Sequence, residues 1–121
     1  MARELFDLGA VRLRPSPFMD AQQADLRYLL AHDPDRLLAP YRREAGLPAV
    51  AEPYPNWESS GLSGHTAGHA LSAAALLYAA TGDGRAADLA EALVSGLEEC
   101  QDALGTGYDR MGATRTGVVI L

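Results

Sequence analysis

Apolar and polar positions follow one another along this chain in several distinct rhythms, and each rhythm predicts a different element. Residues 4–14 alternate around Leu5, Leu8, Val11 and Leu13, with Gly9 inside and Pro15 at the end, which predicts a short strand or an extended arm. Ser16-Pro17 is a helix start, because Ser can accept from orphan amides and Pro at the first helical position gives up no hydrogen bond. A first helix is expected from about Pro17 to His32. Asp33-Pro34 repeats that signal, so the first helix must stop there and a shorter one begin, with Leu37, Leu38 and Tyr41 on its buried side.

From Ala45 to Ser63 the periodicity fails. Gly46, Pro48, Pro53, Pro55 and Gly61 predict a long loop, and loops of that length in compact domains are either disordered or functional. Tyr54, Trp57 and Glu58 favour function. The stretch from about His65 to Thr81, HTAGHALSAAALLYAAT, is apolar almost all round and ends at Gly82, which predicts a helix buried on most sides. From about Gly84 to Leu104 the pattern is amphipathic. Ala86, Leu89, Leu93, Leu97, Cys100 and Leu104 form one stripe, and Asp88, Glu91, Ser95, Glu98 and Asp102 lie on the other side. Joined by TGDG, these two helices make a hairpin, the unit of helical barrels and solenoids. No internal duplication is visible. The chain closes on Val118, Val119, Ile120 and Leu121, an apolar run that is expected to pack on something.

Composition narrows this picture in a few places. With 121 residues, 48% of them apolar and 21% charged, the chain reads as one globular domain. Sixteen acidic against 10 basic residues give a net charge of -6, which excludes a nucleic-acid surface, and Arg12, Arg14, Arg27, Arg36, Arg42 and Arg43 are scattered rather than aligned. The single Cys100 allows no internal disulfide and assigns no compartment. The opening MARELFDLGAVRL does not read as a secretory signal, and no apolar run reaches the roughly 18 residues of a membrane span, so localisation stays open.

Candidate chemistry centres on the start of the apolar helix. His65 and His69, four residues apart, fall on one helix face. Three readings apply to them: a metal pair lacking an evident third ligand, two structural histidines bonded to backbone, or the polar lining of a pocket for a sugar or similar ligand. Gly61, Gly64 and Gly68 around them would let a helix or ligand approach closely. Trp57 beside Glu58 suits carbohydrate, because an aromatic face stacks on a sugar's apolar face while a carboxylate accepts from its hydroxyls; the alternative is an aromatic plug at the end of the core. Glycoside hydrolysis needs two such groups about 5–9 Å apart. Glu58 could be one, but the other acids sit on helix surfaces or at helix starts, and Cys100 falls in an apolar stripe as a structural thiol. No catalytic set and no metal site are assigned.

Taken in order, Ser16-Pro17-Phe18 with Ala21-Gln22, YLLAHDPDRLLAPYRREAGLP, NWESSGLSGHTAGHALSAAALLYAATGD and ECQDALGTGY resemble the beginning of the β-L-arabinofuranosidase group of glycoside hydrolases, families 127 and 146. GHTAGHALSA preceded by Trp57-Glu58 is the most specific part. The resemblance runs from about Leu8 to Tyr108, and departs from the family pattern at Thr106-Gly107-Tyr108-Asp109. It implies an all-α fold, part of an (α/α)6 barrel of helical hairpins with a short N-terminal extended arm. It also implies a zinc-bound cysteine nucleophile and a glutamate acid/base that no stretch here matches, so no catalytic role passes to Cys100. The expectation is that residues 1–121 are the N-terminal fragment of such a catalytic domain, inactive alone, acting in the full-length enzyme on plant-type or glycoprotein arabinosides. Zinc belongs to that full-length enzyme and no cofactor to this fragment. Gln22, Trp57, Glu58, His65 and His69 are the candidate pocket residues for the carbohydrate. Two other classes stay open: a free-standing helical module binding a ligand or metal through the His65/His69 face, and an interaction protein using its apolar tail. Exposed apolar surface is expected to drive self-association.

Overall fold

A computed structural model describes residues 4–105. Among these residues the fold is all-α, with four α-helices and no strand: α1 Pro17–Leu30, α2 Pro34–Glu44, α3 His65–Thr81 and α4 Gly84–Leu104. The Ser16 hydroxyl accepts from the amide of Met19 at 3.3 Å and starts α1, and the Asp33 carboxylate accepts from the amide of Asp35 at 2.9 Å and starts α2. α1 stops at Leu30, two residues short of the expected His32. The His32 ring explains the early end: its Nδ1–H donates to the carbonyls of Tyr28 at 3.0 Å and Leu29 at 3.3 Å, satisfying acceptors that further helix would have used.

The core lies where α2, α3 and α4 meet. Leu37, Leu38 and Tyr41 are buried as expected, and so are Ala86, Leu89, Leu93, Leu97 and Cys100 of the α4 stripe. These two rows face each other, joined by Ala67, Ala70 and Ala74 of α3. Each fully buried leucine contributes roughly 1.5–3 kcal/mol, so Leu37 of α2 and Leu93 of α4, both wholly buried, make this contact a large part of what holds the helices together. Gly96 sits against Leu38, and a Cβ built on it would run into the Leu38 δ-methyl groups. The α3–α4 connection closes as its sequence predicts: Gly82, at φ 73°, donates to the Tyr78 carbonyl at 2.7 Å, and the Asp83 carboxylate accepts from the amide of Arg85 at 3.0 Å. On the rim, Arg42 pairs with Glu99 at 2.6 Å and donates from Nε to the Pro48 carbonyl at 2.8 Å, fastening the start of the long loop to α2. That side-chain hydrogen bond holds the Glu99 carboxyl below the usual carboxylate range.

Of the two forms expected for residues 4–14, strand or extended arm, the structure takes the second: an extended arm with one 3-10 turn at Leu8–Ala10, packed on α3 where Gly9 passes Ala79. A strand needs a neighbouring strand to use its amides, and none exists among the described residues. One expectation needs correction: α3 is not buried on most sides. Only Ala67, Ala70 and Ala74 are buried, while Leu76 is 57% and Tyr78 49% exposed. The apolar run Val118–Leu121 and the departure at Thr106–Asp109 lie outside the described residues. No helix among the described residues is long and apolar enough to cross a membrane.

Candidate functional site

α3 begins with a problem that its own sequence cannot solve. Its N-cap is Gly64, at φ 86°, which has no side chain to accept from the first helical amides. The acceptor arrives from the loop. Glu58 Oε2 accepts from the amide of Gly64 at 2.6 Å and Oε1 from that of Thr66 at 2.7 Å. Burial to 6% exposure would penalise this carboxylate severely if it were unpartnered, but two short amide bonds and the positive end of the helix offset the cost. Tyr41, on α2, adds a second tie by donating from its hydroxyl to the Gly64 carbonyl at 2.8 Å.

The loop is shaped to deliver Glu58. Residues Asn56–Ser59 form a 3-10 turn entered through Asn56 at φ 66°, a left-handed conformation that Asn tolerates better than most residues. The Trp57 carbonyl accepts from the amides of Ser60 at 3.4 Å and Leu62 at 3.2 Å, and the Leu62 carbonyl accepts from that of His65 at 3.2 Å. This chain of turns leads straight into α3 and leaves the Trp57 side chain outside, 69% exposed. It is the only tryptophan in the sequence and does not plug the core.

His65 and His69 stand in the first two turns of α3, both exposed. Their rings meet edge to face at 83° with centroids 4.5 Å apart, and the two Nε2 atoms are 3.1 Å from each other. In the neutral pair one ring must donate and the other accept. The structure therefore brings Glu58, His65 and His69 to one end of one helix, with Glu58 turned inward to the backbone and both histidines exposed; Trp57 neighbours Glu58 on the docking turn, its side chain exposed. Gln22 is elsewhere: it lines a shallow open groove on α1 with Ala21, Ala24, Asp25 and Tyr28, a set that includes none of the other four.

Sequence reasoning missed what holds the loop down. The Tyr54 hydroxyl accepts from the amide of Asp33 at 2.9 Å, the Tyr54 ring stacks edge-on to His32, and the Arg36 guanidinium lies 4.0 Å over its face. Arg36 also donates to the carbonyls of Glu52 at 3.1 Å and Pro53 at 3.4 Å. An aromatic between two prolines was the available signal, but its partner lies 21 residues away.

The zinc that the resemblance implies finds no ligand set here. Cys100 is fully buried in the α4 stripe, and no cluster of three or more His, Cys, Asp or Glu side chains among the described residues could hold a metal ion. A family model described as β-L-arabinofuranosidase, GH127 catalytic domain, matches residues 10–116. The search of curated proteins gave no match.

Proposed function

Since the chain belongs to the β-L-arabinofuranosidase GH127 catalytic-domain family, one of glycoside hydrolases, we propose that it forms the N-terminal part of such a domain and supplies one wall of a furanoside pocket. The observation that carries this reading is the docking of the Trp57–Glu58 turn on the head of α3 through the Glu58 carboxylate, where the His65 and His69 imidazoles, like the Trp57 side chain, are exposed. An indole face stacks on the C–H face of a sugar ring, and imidazole nitrogens donate to and accept from its hydroxyls. Trp57, His65 and His69 touch the sugar in this proposal. Glu58 is a positioning residue, because both its oxygens serve backbone amides and its effect on sugar passes through the loop. Gln22, in its separate groove on α1, has no place in this wall. Plant-type or glycoprotein β-L-arabinosides are the substrate class.

The chain by itself binds without turnover. Its one cysteine is buried, and Glu58 is committed to the backbone, so neither nucleophile nor acid/base comes from the described residues. Zinc and the catalytic pair belong to the complete enzyme.

The sole tryptophan makes the test direct. Titration with an aryl β-L-arabinofuranoside should give a saturable change in Trp57 emission that His65→Ala with His69→Ala abolishes. Release of the aryl group should stay at the background rate. Sustained turnover by the chain would refute the assignment of catalysis to other residues, and an unresponsive Trp57 would refute the pocket.

A further inference from the structure

His65 and His69 differ from the third histidine in a way that suggests a second use. His32 is fixed, its Nδ1 held by two carbonyls and its ring wedged against Tyr28 and Tyr54. Among the described residues no carbonyl holds either ring of the His65/His69 pair, and each Nε2 has only the other as its hydrogen-bond partner, at 3.1 Å. Two imidazole nitrogens sharing one late first-row ion at about 2.0–2.1 Å stand roughly 2.8–3.4 Å apart, between the cis square-planar and tetrahedral limits. The observed separation falls inside that window. The side chains are exposed, so water can fill the remaining coordination positions.

The head of a helix normally disfavours a cation. Here the Glu58 carboxylate sits on the amides of Gly64 and Thr66 and offsets that positive end. We propose that His65 and His69 form a two-point chelate for a divalent late first-row cation, Cu(II) ahead of Zn(II). The order follows from imidazole ligation along the divalent series. This site is distinct from the cysteine-bound zinc expected of the complete enzyme, and it does not rest on the sugar reading.

The test uses the 121-residue chain with CuCl2 alone, followed by calorimetry and electron paramagnetic resonance. One equivalent should bind, with hyperfine splitting from two nitrogens, and Zn(II) should bind more weakly at the same place. His65→Ala and His69→Ala should each weaken Cu(II) binding by about tenfold or more, while His32→Gln leaves it unchanged. Exposed imidazoles replaced by alanine in a helix leave the fold intact, and far-UV circular dichroism checks this; the Gln variants at both positions serve as a second pair. Absence of saturable Cu(II) binding to the unaltered chain would overturn the proposal. So would binding that survives the double variant, or a single-nitrogen spectrum. A chain that binds Cu(II) yet shows no Trp57 response to the arabinofuranoside would sink the sugar reading alone.

Discussion

α3 and α4 are neighbours in sequence and in space, yet they answer to different rules. α4 is amphipathic, and its stripe from Ala86 to Cys100 is buried against α2 and α3. α3 is richer in apolar residues and buries less of them, hiding three alanines while Leu76 and Tyr78 face outward. An amphipathic stripe states where its partner lies. An evenly apolar helix states only that more than one face is suited to contact, and this chain's described residues cover one of them.

That contrast can be broken or sharpened by substitution. The largest effect is expected at Leu93→Ala, which empties a fully buried position and should cost about 2–5 kcal/mol in urea-induced unfolding. Glu58→Ala follows: it strips the acceptor from two amides at the head of α3, and a loss of roughly 1.5–3 kcal/mol is expected, together with faster amide exchange at Gly64 and Thr66. Gly96→Ala sets a better helix former, worth about 1 kcal/mol, against overpacking of about 1–3 kcal/mol on Leu38, so a net destabilisation near 1 kcal/mol should appear in the melting curve. A stabilised Gly96→Ala would show that α2 yields easily.

Smaller effects probe the rim and the open face. The Glu99 carboxyl is held below its ordinary pKa by Arg42, so its contribution is full above the ordinary carboxylate range and fades as pH falls through the lowered value. Glu99→Gln should therefore lower the melting temperature at neutral pH and narrow the gap to the unaltered chain in acid. Least of all is expected from Leu76→Ser, under about 0.5 kcal/mol, because that side chain leaves little water behind on folding. Its readout is different: combined with Tyr78→Ser it should reduce self-association in sedimentation velocity, and unchanged association would mean that the outward face of α3 is not what makes copies adhere.

Much of the fold was legible because its signals are local. The bounds of α3 and α4, the caps at Ser16, Asp33 and Gly82, and the buried rows of α2 and α4 all follow from spacing and capping chemistry within a few residues. The end of α1 was misjudged because His32 competes for its last carbonyls through a ring whose direction no pattern records. Alternation in the arm left strand and extended arm both open, because alternation describes side chains and not whether a neighbouring edge exists. At the candidate site, sequence grouped Trp57 with Glu58 as one sugar-binding pair. The structure separates them, turning the indole out and the carboxylate in, since an uncapped glycine start six residues on demands an acceptor. Tyr54 was singled out in the loop, but its anchoring role was not legible because its hydrogen-bond partner is the backbone of a distant helix start.

The missing methyl at Gly96 works as an alignment key. Sliding α4 by one helical turn in either direction would bring Ala92 or Cys100 opposite Leu38, and either side chain would collide where hydrogen now fits. The notch therefore favours the observed docking of the longer helix along α2, and with it the height at which α3, hinged to α4 through Gly82 and Asp83, presents its two imidazoles.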